Sequence, residues 1–521
     1  MHPGSKAARR AIAIWWRGLP MVLAALGNPF IEGNASAASG RLALTVVDRE
    51  TGQPIACRMH LKNAAGRPYK PKNVPVWHDH FAFPGNITLE LPLGEYSFEL
   101  ERGPEYVERS GRFTINRFAD DSQEVDMRRF VDMSSYGWWS GDLDVRRPAR
   151  DIELLMLADD LHVVPLVTWW NESDQWGGKP PSENLLVQFD RDRYYYRMAG
   201  GHARPGATLL FFNLSAPLKL ARAAEEHPSP VVFADQAREH PEAWVDVTRP
   251  SWWDLPMLVA HDQVDSIQVA HSGLGRDTVI DDETGMKPRD RAVYPGVQGA
   301  GHWSQDVYFH LLNCGLRIPP SAGSGSGVAP NPVGYNRVYV HVDGQLTYEK
   351  WWESFRAGRV VVTNGPLLRP AVQGELPGHV FHAEQGAELE FEVGLTLSTR
   401  EPISYVELIK NGQIEHSIRF DRYAETGRLP KLAFSQSGWF LVRAVTDLGN
   451  TYRFAMTGPY YVEIGYQPRI SRRSAQFLLD WTYERARQIK LDDPAQQRVV
   501  LEYHRHARDF WQQRARRANA E

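Results

Sequence analysis

The sequence predicts an α/β protein, a (β/α) barrel between two β-sandwich-like domains, with a helical hairpin at its C-terminal end. Three observations carry this expectation. Toward each end, short apolar/polar alternations separated by turn formers show the period-two pattern of half-exposed strands. From residue 130 to residue 367, apolar β-rich runs alternate with helical segments, as strands covered on both faces by helices require. After residue 466 the apolar residues recur at helical spacing instead.

With 521 residues, the chain is expected to form roughly two to four domains. Residues 1–37 carry Lys6, Arg9, Arg10 and Arg17, then the apolar GLPMVLAALG, then small residues at Ala35 and Ala37. That order is the pattern of a secretory signal peptide cleaved after Ala37, so the expected location is periplasmic or secreted. No later segment has the uninterrupted apolar length of a transmembrane helix, so no membrane span is expected once the signal is removed.

Residues 41–129 read as the first sandwich, with LALTVVD, CRMHLKN, ITLELP, YSFELE and RFTIN separated by DRETGQP, NAAGRP and PLGE. Residues 130–367 read as the barrel. Its strand-like runs are VVPLVTW, ATLLFFNL, DSIQVAH, NRVYVHV and RVVVTNG; DIELLMLADDL, VVFADQAREH, WWDLPMLVAH, VYFHLLNCGL and TYEKWWESFRAG are the helices between them. Residues 368–465 return to β-hairpin patterning, with Asn411-Gly412 predicting a type I′ turn. In residues 466–521, Asp493 and Pro494 are the expected N-cap and first residue of the second helix.

Hydrophobic residues make up 42%, charged residues 23%, and the formal net charge is −4. A soluble globular protein fits these values, and a nucleic-acid partner does not, because phosphates call for a basic face. Cys57 and Cys314 are the only cysteines, too few for a disulfide scaffold or a zinc knuckle, and read as buried apolar residues.

Candidate chemistry starts at GWWSGDLDVRR, residues 137–147. In an extended chain Asp142, Asp144 and Arg146 project to one face. Two carboxylates suit a hard cation, whereas Arg146 stays positive and would repel a metal or stand in its place. Further candidates at strand ends are Trp169, Trp170 and Asn171, then Asn213, then His271. The glycine-rich SAGSGSG, with Ser324 at its centre, could turn backbone N–H groups toward an anion or serve as a plain turn. GSGSG also satisfies GxSxG literally, but the flanking RIPPSA and VAPNPVGYN do not read as the strand and helix that motif needs, so a serine nucleophile is not expected. Taken one by one, the histidines, the paired tryptophans and Asp142 also have ordinary structural readings as local hydrogen-bonding, packing and turn-capping groups.

The strings WWSGDLDV, SAGSGSGVAPNPVGYNRVYVHVDG and WWESFRAGRVVVTNGPLL resemble the CehA/McbA-type metallohydrolases, members of the PHP (polymerase and histidinol phosphatase) superfamily, over residues 41–465. The resemblance implies a PHP-like distorted (β/α)7 barrel with β-rich accessory domains. It also implies metal-dependent hydrolysis of ester, amide, carbamate or phosphoester bonds, commonly with zinc or manganese. The motif residues depart from the family's pattern: its DLHxH histidines are matched by Asp144 and Arg146, and its TDHN by Thr168, Trp169, Trp170 and Asn171. His202 stands where an acidic ligand is expected, Gln268 where a glutamate is, and residues 323–327 retain none of the GSDxH ligands.

Three readings follow. A reduced site of Asp142, Asp144, His202 and His271 holds one divalent metal, zinc, manganese or magnesium, and the protein is a hydrolase with an eroded centre. Alternatively no metal is held: Arg146, Trp169, Trp170, Asn171, Asn213 and Ser324 line a pocket for a glycan or small anionic ligand, and the protein is a non-catalytic pseudoenzyme. In the third, the protein works structurally, through interactions of its β domains. The residues name no catalytic group, substrate or oligomeric state.

Overall fold

The computed structural model describes residues 39–171, 173–177, 179, 184–220 and 226–521. The expected signal peptide, residues 1–37, lies outside the described residues.

Residues 39–127 form a β-sandwich, as expected. One sheet orders Asn86–Pro92, Ser39–Asp48 and Asp120–Met127; the other orders Val76–Trp77, His80–Phe83, Cys57–Asn63, Gly94–Glu101 and Arg109–Ile115. Alternate residues of both sheets, among them Leu42, Leu44, Met59, Leu61, Phe81, Leu89 and Leu100, fill the space between them. Cys57 and Cys314 are free and buried, the plain packing role read from the sequence.

The middle of the chain corrects the expectation of a PHP-like (β/α)7 barrel. All five expected helices are present, as Ile152–Ala158, Pro230–Arg238, Leu255–Ala260, Gly299–Asn313 and Tyr348–Arg356. The strands, however, do not alternate with helices in parallel order. Arg193–Arg204 and Ala207–Phe212 form an antiparallel hairpin, and Ala207–Phe212 is antiparallel to Trp244–Val247 as well. Arg337–His341 pairs antiparallel with both Trp138–Gly141 and Val360–Thr363. Strand exceeds helix among the described residues, 38% against 21%, the reverse of a fold in which each strand carries a longer helix. The physical reason lies in Pro205 and Gly206: with φ at 95°, Gly206 turns the chain straight back, leaving no length for a crossover helix.

A second correction concerns the expected boundary at residue 367. Val360–Thr363 also hydrogen-bonds to Phe454–Thr457, so sheet pairing runs on into the C-terminal β region. An unpaired edge of Val360–Thr363 would leave a row of backbone groups unsatisfied, and Phe454–Thr457 satisfies it. The C-terminal strands keep a core of their own, including Val372, Phe391, Val406, Phe440 and Tyr460. Ile403–Lys410 and Gln413–Arg419 form the expected hairpin, with Asn411 and Gly412 at φ 51° and 81°, the two positive values a type I′ turn needs.

Helices Arg472–Gln488 and Pro494–Arg516 form the expected pair, Asp493 capping the second through the Ala495 N–H. Trp481 and Trp511 bury against the Leu255–Ala260 region, donating to the Trp253 and Pro256 carbonyls. No helix among the described residues is long and apolar enough to cross a membrane.

Candidate functional site

Residues 142–146 follow the strand Trp138–Gly141, with a bend at Leu143 and a single bridge at Val145. The Arg146 N–H donates to the Ser326 carbonyl, and the Val167 N–H to the Val145 carbonyl. Leu143 and Val145 are fully buried, and Asp142 and Asp144 almost equally so.

Asp142 is spent within the protein. Its Oδ1 accepts the Ser324 and Asp144 N–H groups at 2.9 and 3.1 Å, and its Oδ2 the Gly334 N–H at 2.7 Å. Burial pushes the carboxyl up to about 7 against the pull of these donors. The glycine-rich loop therefore does turn an N–H group toward an anion, and that anion is the chain's own Asp142. Ser324 is fully buried, its hydroxyl tied to both the carbonyl and the N–H of Asn336.

Asp144 is clasped by Arg146 in a two-pronged pair, Nε to Oδ1 at 2.7 Å and Nη2 to Oδ2 at 3.1 Å. The Arg146 guanidinium in turn lies over the Trp170 ring, 3.5 Å from its centroid. Room for this stack comes from glycines. Trp169 and Trp170 stand opposite Gly200 and Gly201 in the neighbouring strand, where a Cβ would fall 1.7 and 2.0 Å from the respective rings. At Gly323 a Cβ would meet Asp144 and Gln268 at 2.7 Å, and at Gly327 it would meet the Arg146 carbonyl at 2.3 Å.

The other candidates do not join this group. His202 packs its ring on Phe233, with centroids 4.3 Å apart, and burial pushes it down to about 4. His271 accepts the Gly273 N–H at Nδ1, which leaves Nε2 as the donor to Ser304 Oγ; burial, with Arg249 adding, keeps it well below the usual histidine range. Asn171 uses both ends of its amide on the Ala203 backbone, and Asn213 accepts the Tyr348 hydroxyl at 2.6 Å. Trp169 stacks on Phe211 at 6.1 Å. Both nitrogens of His271 and both oxygens of Asp142 and of Asp144 already have partners, and among the described residues no three of the four expected metal ligands, Asp142, Asp144, His202 and His271, bring ligand atoms within 4.8 Å of one another.

Sequence reasoning missed two groups here. Asp246, fully buried, accepts from Ser266, Ser321 and Gln268; burial, opposed by these bonds, pushes its carboxyl up to about 7. Arg249 follows the strand Trp244–Val247 and makes no ion pair among the described residues, donating only to Met286 Sδ. Both sit on or after a strand end in VDVTRP, the signal that singled out Asn171 and Asn213.

Arg146 also borders a groove of about 610 Å³ between residues 73–77 and 146–151, lined by Trp77, Arg147, Pro148, Arg150, Asp151 and Gly327 among others. Arg147 is buried over the Trp77 ring at 5.2 Å and donates to the Val76 carbonyl, with no carboxylate paired to it among the described residues. Arg150 is 86% exposed and 3.7 Å from Asp151.

No family model matches the chain, and no curated protein matches it. Among solved structures, it is similar to the Bacillus anthracis TIE protein at 20% identity, over 22% of this chain and 20% of that one, with a TM-score of 0.15. The chain thus spans about a fifth of that protein's length. Fibronectin(III)-like modules of Clostridium thermocellum CbhA match at 20% identity over 18% of this chain and 96% of theirs, TM-score 0.13. The N-terminal four Ig domains of a Dscam1 isoform match at 8% identity over 83% and 73%, TM-score 0.15.

Proposed function

We propose that this chain is a non-catalytic binding protein for an acidic glycan, held in the groove beside Arg146. The observation that carries this is the position of Arg146 itself. Its guanidinium lies between Asp144 and Trp170 and pairs with one of the carboxylates that the hydrolase reading assigns to a metal. A positive charge that holds at any relevant pH is thus already paired with Asp144.

The groove supports the ligand class. Arg146, Arg147 and Arg150 line it with a single carboxylate, Asp151, and a buried arginine without a carboxylate partner gains most from an incoming anion. Trp77 adds a flat apolar wall of the kind a sugar ring stacks on. Export, expected from residues 1–37, would bring the protein to where acidic polysaccharides occur.

Calorimetric titration with an oligogalacturonate and with a neutral oligosaccharide of equal length tests this. The acidic ligand should bind with an affinity that falls as salt rises, and Arg147→Ala with Arg150→Ala should weaken it at least tenfold. Equal binding of the neutral ligand, or none of either at low salt, would sink the proposal. Release of new reducing ends would return the protein to the enzymes.

A further inference from the structure

We infer that His60, Asp79 and His80, in the N-terminal sandwich, form a binding site for a divalent transition metal of the zinc class. The site shares no residue with the Asp144–Arg146 pair or with the lining of the basic groove. It begins in strand register: His60 on Cys57–Asn63 is the direct partner of His80 on His80–Phe83, which sets the two imidazoles side by side with ring centroids 5.1 Å apart. Asp79, the residue before, adds a carboxylate. One ligand atom from each of the three lies within 4.8 Å of the other two. Zinc bonds of about 2.0–2.2 Å in a tetrahedral array need ligand atoms somewhat closer than this, within reach of small ring rotations.

A second observation points to a ligand. The His60 side chain is 2% exposed, yet neither of its ring nitrogens makes a hydrogen bond. Its Nδ1 stands 3.2 Å from Asp79 Oδ2 without the alignment a hydrogen bond requires. A buried imidazole left so is costly unless something else takes its lone pair. His80, also buried, makes one long contact, Nδ1 to Asp79 Oδ1 at 3.4 Å, which brings the carboxylate against both imidazoles. Two imidazole nitrogens and one carboxylate oxygen match zinc better than magnesium or calcium, which prefer oxygen alone. Three protein ligands leave one position for water.

The surrounding charges set the terms. Lys62 Nζ is 3.4 Å from Asp79 Oδ2, and its side chain is 35% exposed, free to swing into solvent when a cation takes its place. His78, 58% exposed, approaches Asp79 Oδ1 from outside at 3.5 Å. Arg58 faces the site from within and is neutralised by Glu101 and Asp159.

The test is zinc titration of the metal-stripped full chain, followed by mass spectrometry of bound metal and by the visible spectrum of the cobalt(II) form. One equivalent should bind, with tetrahedral cobalt bands. His60→Gln and His80→Gln should each weaken zinc more than about 100-fold, beyond what loss of an outer partner costs, while Asp144→Asn should leave it unchanged. Should the histidine variants misfold, X-ray absorption at the zinc edge of the unmutated protein decides, with two imidazole nitrogens expected. Failure to retain zinc, octahedral cobalt bands, an absorption spectrum without imidazole ligands, or zinc that survives both substitutions would overturn the inference.

Discussion

Trp170 and Gly201 stand opposite each other on neighbouring strands, and a Cβ on Gly201 would lie 2.0 Å from the Trp170 ring. The indole fills the volume a side chain would have taken, and its other face carries the Arg146 guanidinium. Position 201 therefore decides where Arg146 lies.

Gly201→Ala should destabilise the protein by about 1–3 kcal/mol, the usual cost of forcing extra volume into a packed site. Trp170→Ala alone should also destabilise it, by removing the ring. The double variant should lose less than the sum of the two, because each change makes room for the other. Urea denaturation of the three variants measures this.

Arg146→Ala should cost about 3–5 kcal/mol, the range for stripping one partner from a buried pair. The Asp144 side chain is only 2% exposed and would be left without its counter-charge. Asp144→Asn together with Arg146→Met should recover much of that loss. A single substitution within experimental error of the unmutated protein would show that water reaches Asp144.

Asp246 gives a pH signature. Its carboxyl is raised in the folded protein to about 7, so between its unfolded value near 4 and that value the native state binds more protons than the unfolded one. Its contribution to stability is complete below that window and is lost as pH rises through about 7. Asp246→Asn imitates the protonated form and should gain stability relative to the unmutated protein on going from pH 5 to pH 8. Paired denaturation curves at the two values check the sign.

Arg485 ties the C-terminal helices to the rest of the chain. It is bound to Asp254 at 2.7 Å and to Glu226 at 2.6 Å, with Asp254 almost wholly buried. Arg485→Ala should cost about 3–5 kcal/mol by the same reasoning, and hydrogen exchange in Arg472–Gln488 should quicken more than in the N-terminal sandwich.

Local chemistry was legible in the sequence where one residue type answers one geometric demand. Asn411-Gly412 announces its turn because few other pairs take two positive φ values in succession, and Asp493-Pro494 announces a helix start. The middle sheet was misread because Ala207–Phe212 is buried along its whole length. A run apolar on both faces looks the same in parallel and antiparallel pairing, and only Pro205-Gly206 betrayed the hairpin. In the site, Asp142, Asp144 and Arg146 are linked one to the next, by the Asp144 N–H to Asp142 and the Arg146 guanidinium to Asp144. Alternation could not show that Phe233 would cover His202, since that contact spans a connection whose path the pattern does not encode. His78, Asp79 and His80 are adjacent in the chain, but their partner His60 is identified only by the register of two strands.

The pairing of Val360–Thr363 with Phe454–Thr457 bears on how this protein can be handled. A fragment ending near residue 367 would carry a bare β-edge of buried valines, ready to recruit another molecule's strand. Such a piece should precipitate or form mixed aggregates when expressed alone. Division of labour within the chain is therefore best dissected by point substitution, with residues 130–465 kept in one continuous polypeptide.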